Sequence, residues 1–338
     1  IRLSLVGSEM CIRDSYEGNE YDVPNLFSDE MNTLSKDKNA AFEFCEAEYY
    51  LAYKDGKLAG RVAAIINHKA NSKWGKKSVR FGWIDFIDDR EVSKALLDAV
   101  EKYGKEKGME DMVGPLGFTD MDPEGMLTWG FDQLGTMPTI YNYPYYPEHI
   151  EALEGFEVDN KYVEFKIMVP DTIPEKYAKI AMMIEKRYNL HVRKLTKKEV
   201  FQGGMGQKIF DLINDTYKDL YGYSELSQKQ IDQLIKSYLS FLDFNLITCI
   251  EDWTGGEHKL IGVGITMPSL AHALQKCHRG RLFPFGWYHV LRAIKQHKTN
   301  IVDLLLIGIL PEYRAKGANA LLFADLIPWY QKYGIEWG

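Results

Sequence analysis

Cysteine is scarce in this chain. Cys11, Cys45, Cys249 and Cys277 are the four present; no two form a CxxC pair, and none stands at a zinc-like spacing from histidine. A disulfide framework and a structural zinc module are thereby excluded, and reduced thiols in a cytoplasmic protein are expected. Positive charge is also short. Lys+Arg number 41 against 48 Asp+Glu, a net charge of -7, which argues against a nucleic-acid partner because phosphate contacts need a basic face. The basic run from Lys69 to Arg80 is brief enough to be a solvated loop. No apolar run approaches the roughly 20 residues that cross a bilayer, so no transmembrane segment is expected, and no sustained apolar region marks a secretory signal. An initiator Met is missing too. The opening string, Ile1 to Ser15, resembles a translated sequencing scar and is set aside, Cys11 with it.

No metal site is expected either. His272, His278, His289 and His297 share a region but show no HxxxH pair on a clear helix. Asp120, Asp122 and Glu124 lack the loop and terminal glutamate of an EF-hand and read as a surface turn with Pro123. Gly203-Gly204-Met205-Gly206 follows no clear strand and reads as a linker or helix entry.

What is present is a globular composition, 46% hydrophobic and 13% aromatic, over 338 residues. That length suggests two domains. The chain also repeats a layout. Tyr49 to Asn67 has two apolar, β-branched or aromatic runs around Lys-Asp-Gly-Lys, a hairpin signal; Leu246 to Met267 has two such runs around a longer turn. Lys57-Leu58-Ala59-Gly60 and Lys259-Leu260-Ile261-Gly262 take the same place in each. A basic segment, a strand and a helix follow both hairpins: strand Val79–Ile87 with helix Glu91–Lys107, then strand Ile301–Leu310 with a helix from Gly317 to Tyr333. Leu96, Val100 and Tyr103 make the core face of the first helix. The second is apolar nearly all round and therefore buried, with a kink expected at Pro328. A helix pair from Gly206 to Leu242 and an amphipathic helix over Trp287–His297 complete the pattern. The order predicts an α/β (α+β) fold built twice. The divisions are 1–15 as scar, 16–170 as the first domain, 171–205 as connecting segment and 206–338 as the second domain.

The chemistry concentrates at Leu304 to Phe323. An apolar strand ends at Pro311, a short turn follows, and Gly317 opens a helix. A helix start holds unpartnered N–H groups and partial positive charge, the natural seat of a pyrophosphate. Gly317 permits close backbone approach, Ala315 and Ala318 keep the wall low, and Arg314 and Lys316 add charge.

These residues resemble a family. The string Pro311-Glu312-Tyr313-Arg314-Ala315-Lys316-Gly317-Ala318-Asn319 is similar to the Gln/Arg-x-x-Gly-x-Gly/Ala turn of GNAT acyltransferases, departing from it at Asn319. The resemblance implies tandem GNAT-like domains, each a mixed, mostly antiparallel central sheet flanked by helices. It implies acetyl-CoA or another acyl-CoA as co-substrate, held by Ile307, Ile309, Leu310, Arg314, Ala315, Lys316, Gly317, Ala318 and Asn319, with a strand bulge at Gly308. An amine acceptor, small or lipid-like, would attack the thioester, with Asp303 as general base. Tyr141 and Tyr145, in a Tyr/Pro cluster, are candidates to line the acceptor pocket. The chain stops where the family's next strand begins, so the second domain is expected to be incomplete and its general acid to lie beyond Gly338. The first copy reads Asp88-Asp89-Arg90-Glu91 at the equivalent turn; three acidic groups and no glycine would repel a pyrophosphate there, so this domain is degenerate. Two other readings stay open: a non-catalytic CoA- or ligand-binding scaffold, and an aminoacyl-tRNA-dependent Fem-like transferase.

Overall fold

The computed structural model describes residues 13–338. The expected scar lies outside the described residues up to position 12, as does Cys11. Two units emerge, and they interleave in sequence. The first comprises 1–163 with Tyr221–Ser224 and Ala271–His289; the second comprises Glu164–Leu220, Glu225–Leu270 and Val290–Gly338. A single division near Pro170 was expected. Two later segments return to the first unit through side-chain to backbone hydrogen bonds. Arg80 donates to the Gly222 carbonyl at 3.3 Å, Trp74 Nε1 to the Tyr223 carbonyl at 3.0 Å, and Gln275 Nε2 to the Glu20 carbonyl at 2.9 Å.

The first unit holds a four-stranded sheet in sequential order: β1 (Cys45–Lys54), β2 (Lys57–Asn67), β3 (Ser78–Phe86) and β4 (Asp111–Val113). β1, β2 and β3 pair antiparallel, and β4 runs parallel to β3. The β1–β2 connection is the two-residue turn the sequence signalled. Asp55 and Gly56 both have positive φ, 51° and 75°, the backbone twist that suits a tight hairpin. Helix Arg90–Glu106 buries Leu96, Leu97, Val100 and Tyr103, covering β2 and β3. This is the expected face, set by the 3.6-residue period.

The second unit repeats the plan. Its sheet order is β5 (Leu190–Arg193), β6 (Ile247–Asp252), β7 (Lys259–Pro268), β8 (Val302–Ile309), all antiparallel. Residues 171–205, expected as a connecting segment, are built into this unit. They form helix Glu175–Tyr188 and then β5, which pairs with β6. Helix Asn319–Tyr333 runs on through Pro328, burying Leu321, Leu322, Leu326 and Tyr330. Helix Met205–Tyr217 packs against β7 and β8. Helix Gly286–Gln296 matches the expected amphipathic segment. No helix among the described residues is long and apolar enough to cross a membrane.

Asp120, Asp122 and Glu124 do not form a plain surface turn. Asp120 accepts from the Ser224 amide at 3.1 Å, Asp122 from the Thr119 amide at 3.0 Å, and Glu124 Oε2 from Tyr162 at 3.0 Å. Glu124 Oε1 is buried and has no partner while the carboxyl is ionised. With a proton it donates to Asp120. Burial and the neighbouring Asp120 charge push the Glu124 carboxyl up from 4.5 to about 8. A carboxyl raised in the fold contributes stability that is complete below its unfolded value and lost as pH rises through its folded one. The melting temperature should therefore fall as pH rises from about 4.5 to about 8, the interval between the two values. Glu124→Gln, a permanent donor, should flatten that slope in thermal melts. An unchanged slope would refute the shared proton.

Candidate functional site

β8 is a terminal strand of its sheet, so one edge faces away from β7. Three devices hold that edge. At the start, Trp337 pairs parallel with Ile301, and the Val302 amide donates to the Trp337 carbonyl at 2.8 Å. Near the end, the Tyr217 hydroxyl receives the Ile307 amide and donates to the Ile307 carbonyl, both at 3.2 Å. Beyond it, Arg314 Nε donates to the Ile309 carbonyl at 3.0 Å and Nη2 to the Thr216 carbonyl at 3.0 Å. Between these clasps lie Asp303 and a bulge.

The bulge is at Leu305, not Gly308. Ile265 pairs with Leu306 and Thr266 with Leu304, so Leu305 is the extra residue, whereas Gly308 pairs regularly with Val263. Gly308 has another cause. A Cβ there would meet Thr216 Oγ1 at 2.6 Å and Ile213 Cδ1 at 3.2 Å, so glycine is what lets helix Met205–Tyr217 lie against the strand.

After β8, Pro311–Arg314 makes one helical turn, and Gly317 follows with φ +77°. Ala318 is fully buried and Asn319 starts the long helix exposed, with no side chain capping it. Two of its first amides are already used within the turn: Ala320 donates to the Gly317 carbonyl at 2.9 Å and Leu321 to the Ala318 carbonyl at 3.0 Å. The two cations are less available than the sequence implied. Arg314 is spent on backbone carbonyls, and Lys316 Nζ lies 4.1 Å from the Tyr313 ring centroid and 5.5 Å from that of Tyr188. Ile184 approaches the Gly317 Cβ position to 3.2 Å, so helix Glu175–Tyr188 walls one side of the turn. The positive end of the helix and Lys316 at its rim are what the turn offers an anion. Ile309 and Leu310 are buried in the sheet.

Asp303 is only 7% exposed. Burial raises its carboxyl from 3.8 to about 6; a hydrogen bond from Ser269 restrains the rise and the charge of Glu164 adds to it. Its Oδ2 has no partner among the described residues. A buried carboxyl titrating near neutrality can exchange a proton with a substrate.

The equivalent turn of the first unit is closed. Asp89 caps helix Arg90–Glu106 through the Glu91 amide at 2.9 Å and pairs with Lys54. A carboxylate already sits where a phosphate would bind. The two candidate tyrosines separate: Tyr141 lines a cavity of about 300 Å³ in this unit, whereas Tyr145 donates to the Phe86 carbonyl at 2.7 Å and packs against the core. That cavity has an ionic floor. Arg61 donates to Asp85 and Glu30, each at 2.8 Å, and Tyr16 donates to Asp85 at 3.2 Å. These groups were not among the expected site residues, although a charge within each of two apolar strand runs, Arg61 and Asp85, was a usable signal. Tyr217 was expected only as one of several phenols near the end of its helix.

The fold is a mixed α/β one built twice, each unit a four-stranded sheet with flanking helices. No family model matches the chain. It is 25% identical over 304 residues to the bacterial ceramide synthase of Caulobacter vibrioides (strain NA1000 / CB15N), covering 89% of this chain and 76% of that protein. It is 24% identical over 293 residues to protein YghO of Escherichia coli (strain K12), covering 86% and 72%. Each alignment is too long for one unit and spans the tandem. Among solved structures, a tandem GNAT protein from the clavulanic acid biosynthesis pathway matches at TM-score 0.44 and 10% identity, over 96% of this chain and 82% of that one. FemX matches at TM-score 0.34 and 10% identity, over 100% and 87%.

Proposed function

We propose that the second unit moves an acyl group from acyl-CoA to a lipid-like amine. The observation that carries this reading is the order along one strand: Asp303, the Leu305 bulge, the edge to Leu310, then the Gly317 turn. At about 3.3 Å per residue, the bulge lies roughly 17 Å from Leu310, the reach of an extended pantetheine arm. A pyrophosphate seated against the Gly317 turn, at the positive end of helix Asn319–Tyr333, would place the thioester beside the bulge. There the irregular backbone frees an N–H for the carbonyl oxygen. Asp303, two residues away, would take the proton from the attacking amine. The N–C bond forms, the C–S bond breaks, and the thiolate leaves to be protonated. A ceramide is an amide of a long-chain amino alcohol, so the similarity to a ceramide synthase supports a lipid-like acceptor over a small polar one.

One observation favours a non-catalytic scaffold instead. Tyr217 occupies the Ile307 edge groups that a pantetheine amide would use. The two readings differ in a titration. Calorimetry of the protein with CoA should show binding, and Tyr217→Phe should tighten it up to about tenfold by removing an internal competitor. Gly317→Trp should abolish it. No binding at millimolar CoA, in a wild-type protein that melts cooperatively, would sink the proposal.

A further inference from the structure

One surface of the first unit has no part in this chemistry. Residues 258–302 contain no Asp or Glu, in a chain where acidic residues outnumber basic ones. The part of that stretch in the first unit, Ala271–His289, carries Lys276, Arg279 and Arg281. Within it, four large apolar rings are exposed: Phe283 at 79%, Phe285 at 75%, Trp287 at 43% and Tyr288 at 48%.

This exposure is built into the fold. The Trp287 amide donates to the Leu282 carbonyl at 2.8 Å, and the Tyr288 amide to the Phe285 carbonyl at 3.1 Å. Trp287 Nε1 donates to the Pro284 carbonyl at 3.0 Å. Gly286 lies at the buried base of the turn, where a Cβ would meet the Arg281 carbonyl at 2.3 Å. A tied turn therefore leaves two phenylalanines exposed, with the half-exposed Trp287 and Tyr288 following them in the chain. Lys276 and Arg281 are exposed beside it.

We propose that this turn docks the protein on an anionic lipid surface. Bare phenyl rings gain by entering the acyl boundary, Trp and Tyr prefer the headgroup level, and the cations meet lipid phosphates. The four rings at these exposures present on the order of 500 Å². That falls short of the ~800 Å² per partner of a stable protein interface, whereas an interfacial anchor needs only a few side chains. The cationic stretch, set against an otherwise acidic chain, supplies the charge complementarity. The inference does not depend on acyl transfer.

The test is co-sedimentation of the full chain with vesicles of phosphatidylcholine carrying about 30% phosphatidylglycerol, and with phosphatidylcholine alone. Binding is expected on the anionic vesicles only, weakening with salt. The double variant Phe283→Ser, Phe285→Ser should bind at least about tenfold less while melting like the wild type, because neither ring is buried. Arg281→Glu should weaken binding mainly at low salt. Equal sedimentation of the double variant, or no binding by the wild type, would overturn the proposal. So would a concentration-dependent dimer in sedimentation velocity that the double variant abolishes, since the turn would then be an interface between copies. None of these readouts involves CoA.

Discussion

Asp303→Asn is expected to lower acyl transfer by about 10²–10⁴-fold while leaving CoA affinity within about twofold. The carboxyl is buried beside the bulge and titrates at about 6. As a base it must be ionised, so the wild-type rate should rise with pH through about 6 and then level. The variant should lose that limb. Stability moves the other way. Because the folded value lies above the ordinary 3.8, the group's contribution is complete below 3.8 and lost as pH rises through about 6. Above that pH a buried carboxylate with one unpartnered oxygen strains the fold, and asparagine relieves it. A slower but more heat-stable protein at pH 8 is a signature that simple misfolding cannot imitate. A variant of wild-type activity would remove Asp303 from the chemistry.

The second large effect is structural. Gly308→Ala should destabilise the second unit by roughly 2–3 kcal/mol, because the new methyl would overlap Thr216 Oγ1. Helix Met205–Tyr217 must then lift from β8, carrying Tyr217 away from Ile307. Gly264→Ala, on the neighbouring strand, is the control; its Cβ would find Leu322 and Leu326 at 3.6 Å, an ordinary contact. Adding Thr216→Ala to Gly308→Ala should recover about 1 kcal/mol. Chemical denaturation of the three variants checks this. Equal stability of the two glycine variants would show that the helix contact is soft.

The sequence carried the repeat and the turn because both are local. Hairpins announce themselves by Asp55-Gly56 and by β-branched runs, and the strand-to-helix turn by Pro311 and Gly317. Features set by a distant partner were not legible. The bulge lies at Leu305 because β7 shifts register at Ile265, information that β8 alone does not contain. Gly308 read as a bulge glycine, yet it answers to Thr216 from another element. Arg314 and Lys316 read as phosphate ligands because charge near a turn suggests it, but a carbonyl pair and two tyrosine rings hold them. Asp120 and Glu124 read as solvated because their spacing fits no metal loop, while Ser224 and Tyr162 enclose them.

The interleaving of the units governs how the polypeptide acquires its shape at the ribosome. Ala271–His289 belongs to the first unit but is made after β5, β6 and β7 of the second. The N-terminal unit therefore cannot finish folding when its own sheet has emerged; it must wait with that flank incomplete while most of the next sheet is synthesised. The usual order, one domain closed before the next begins, is not open to this chain. Its two halves must mature together.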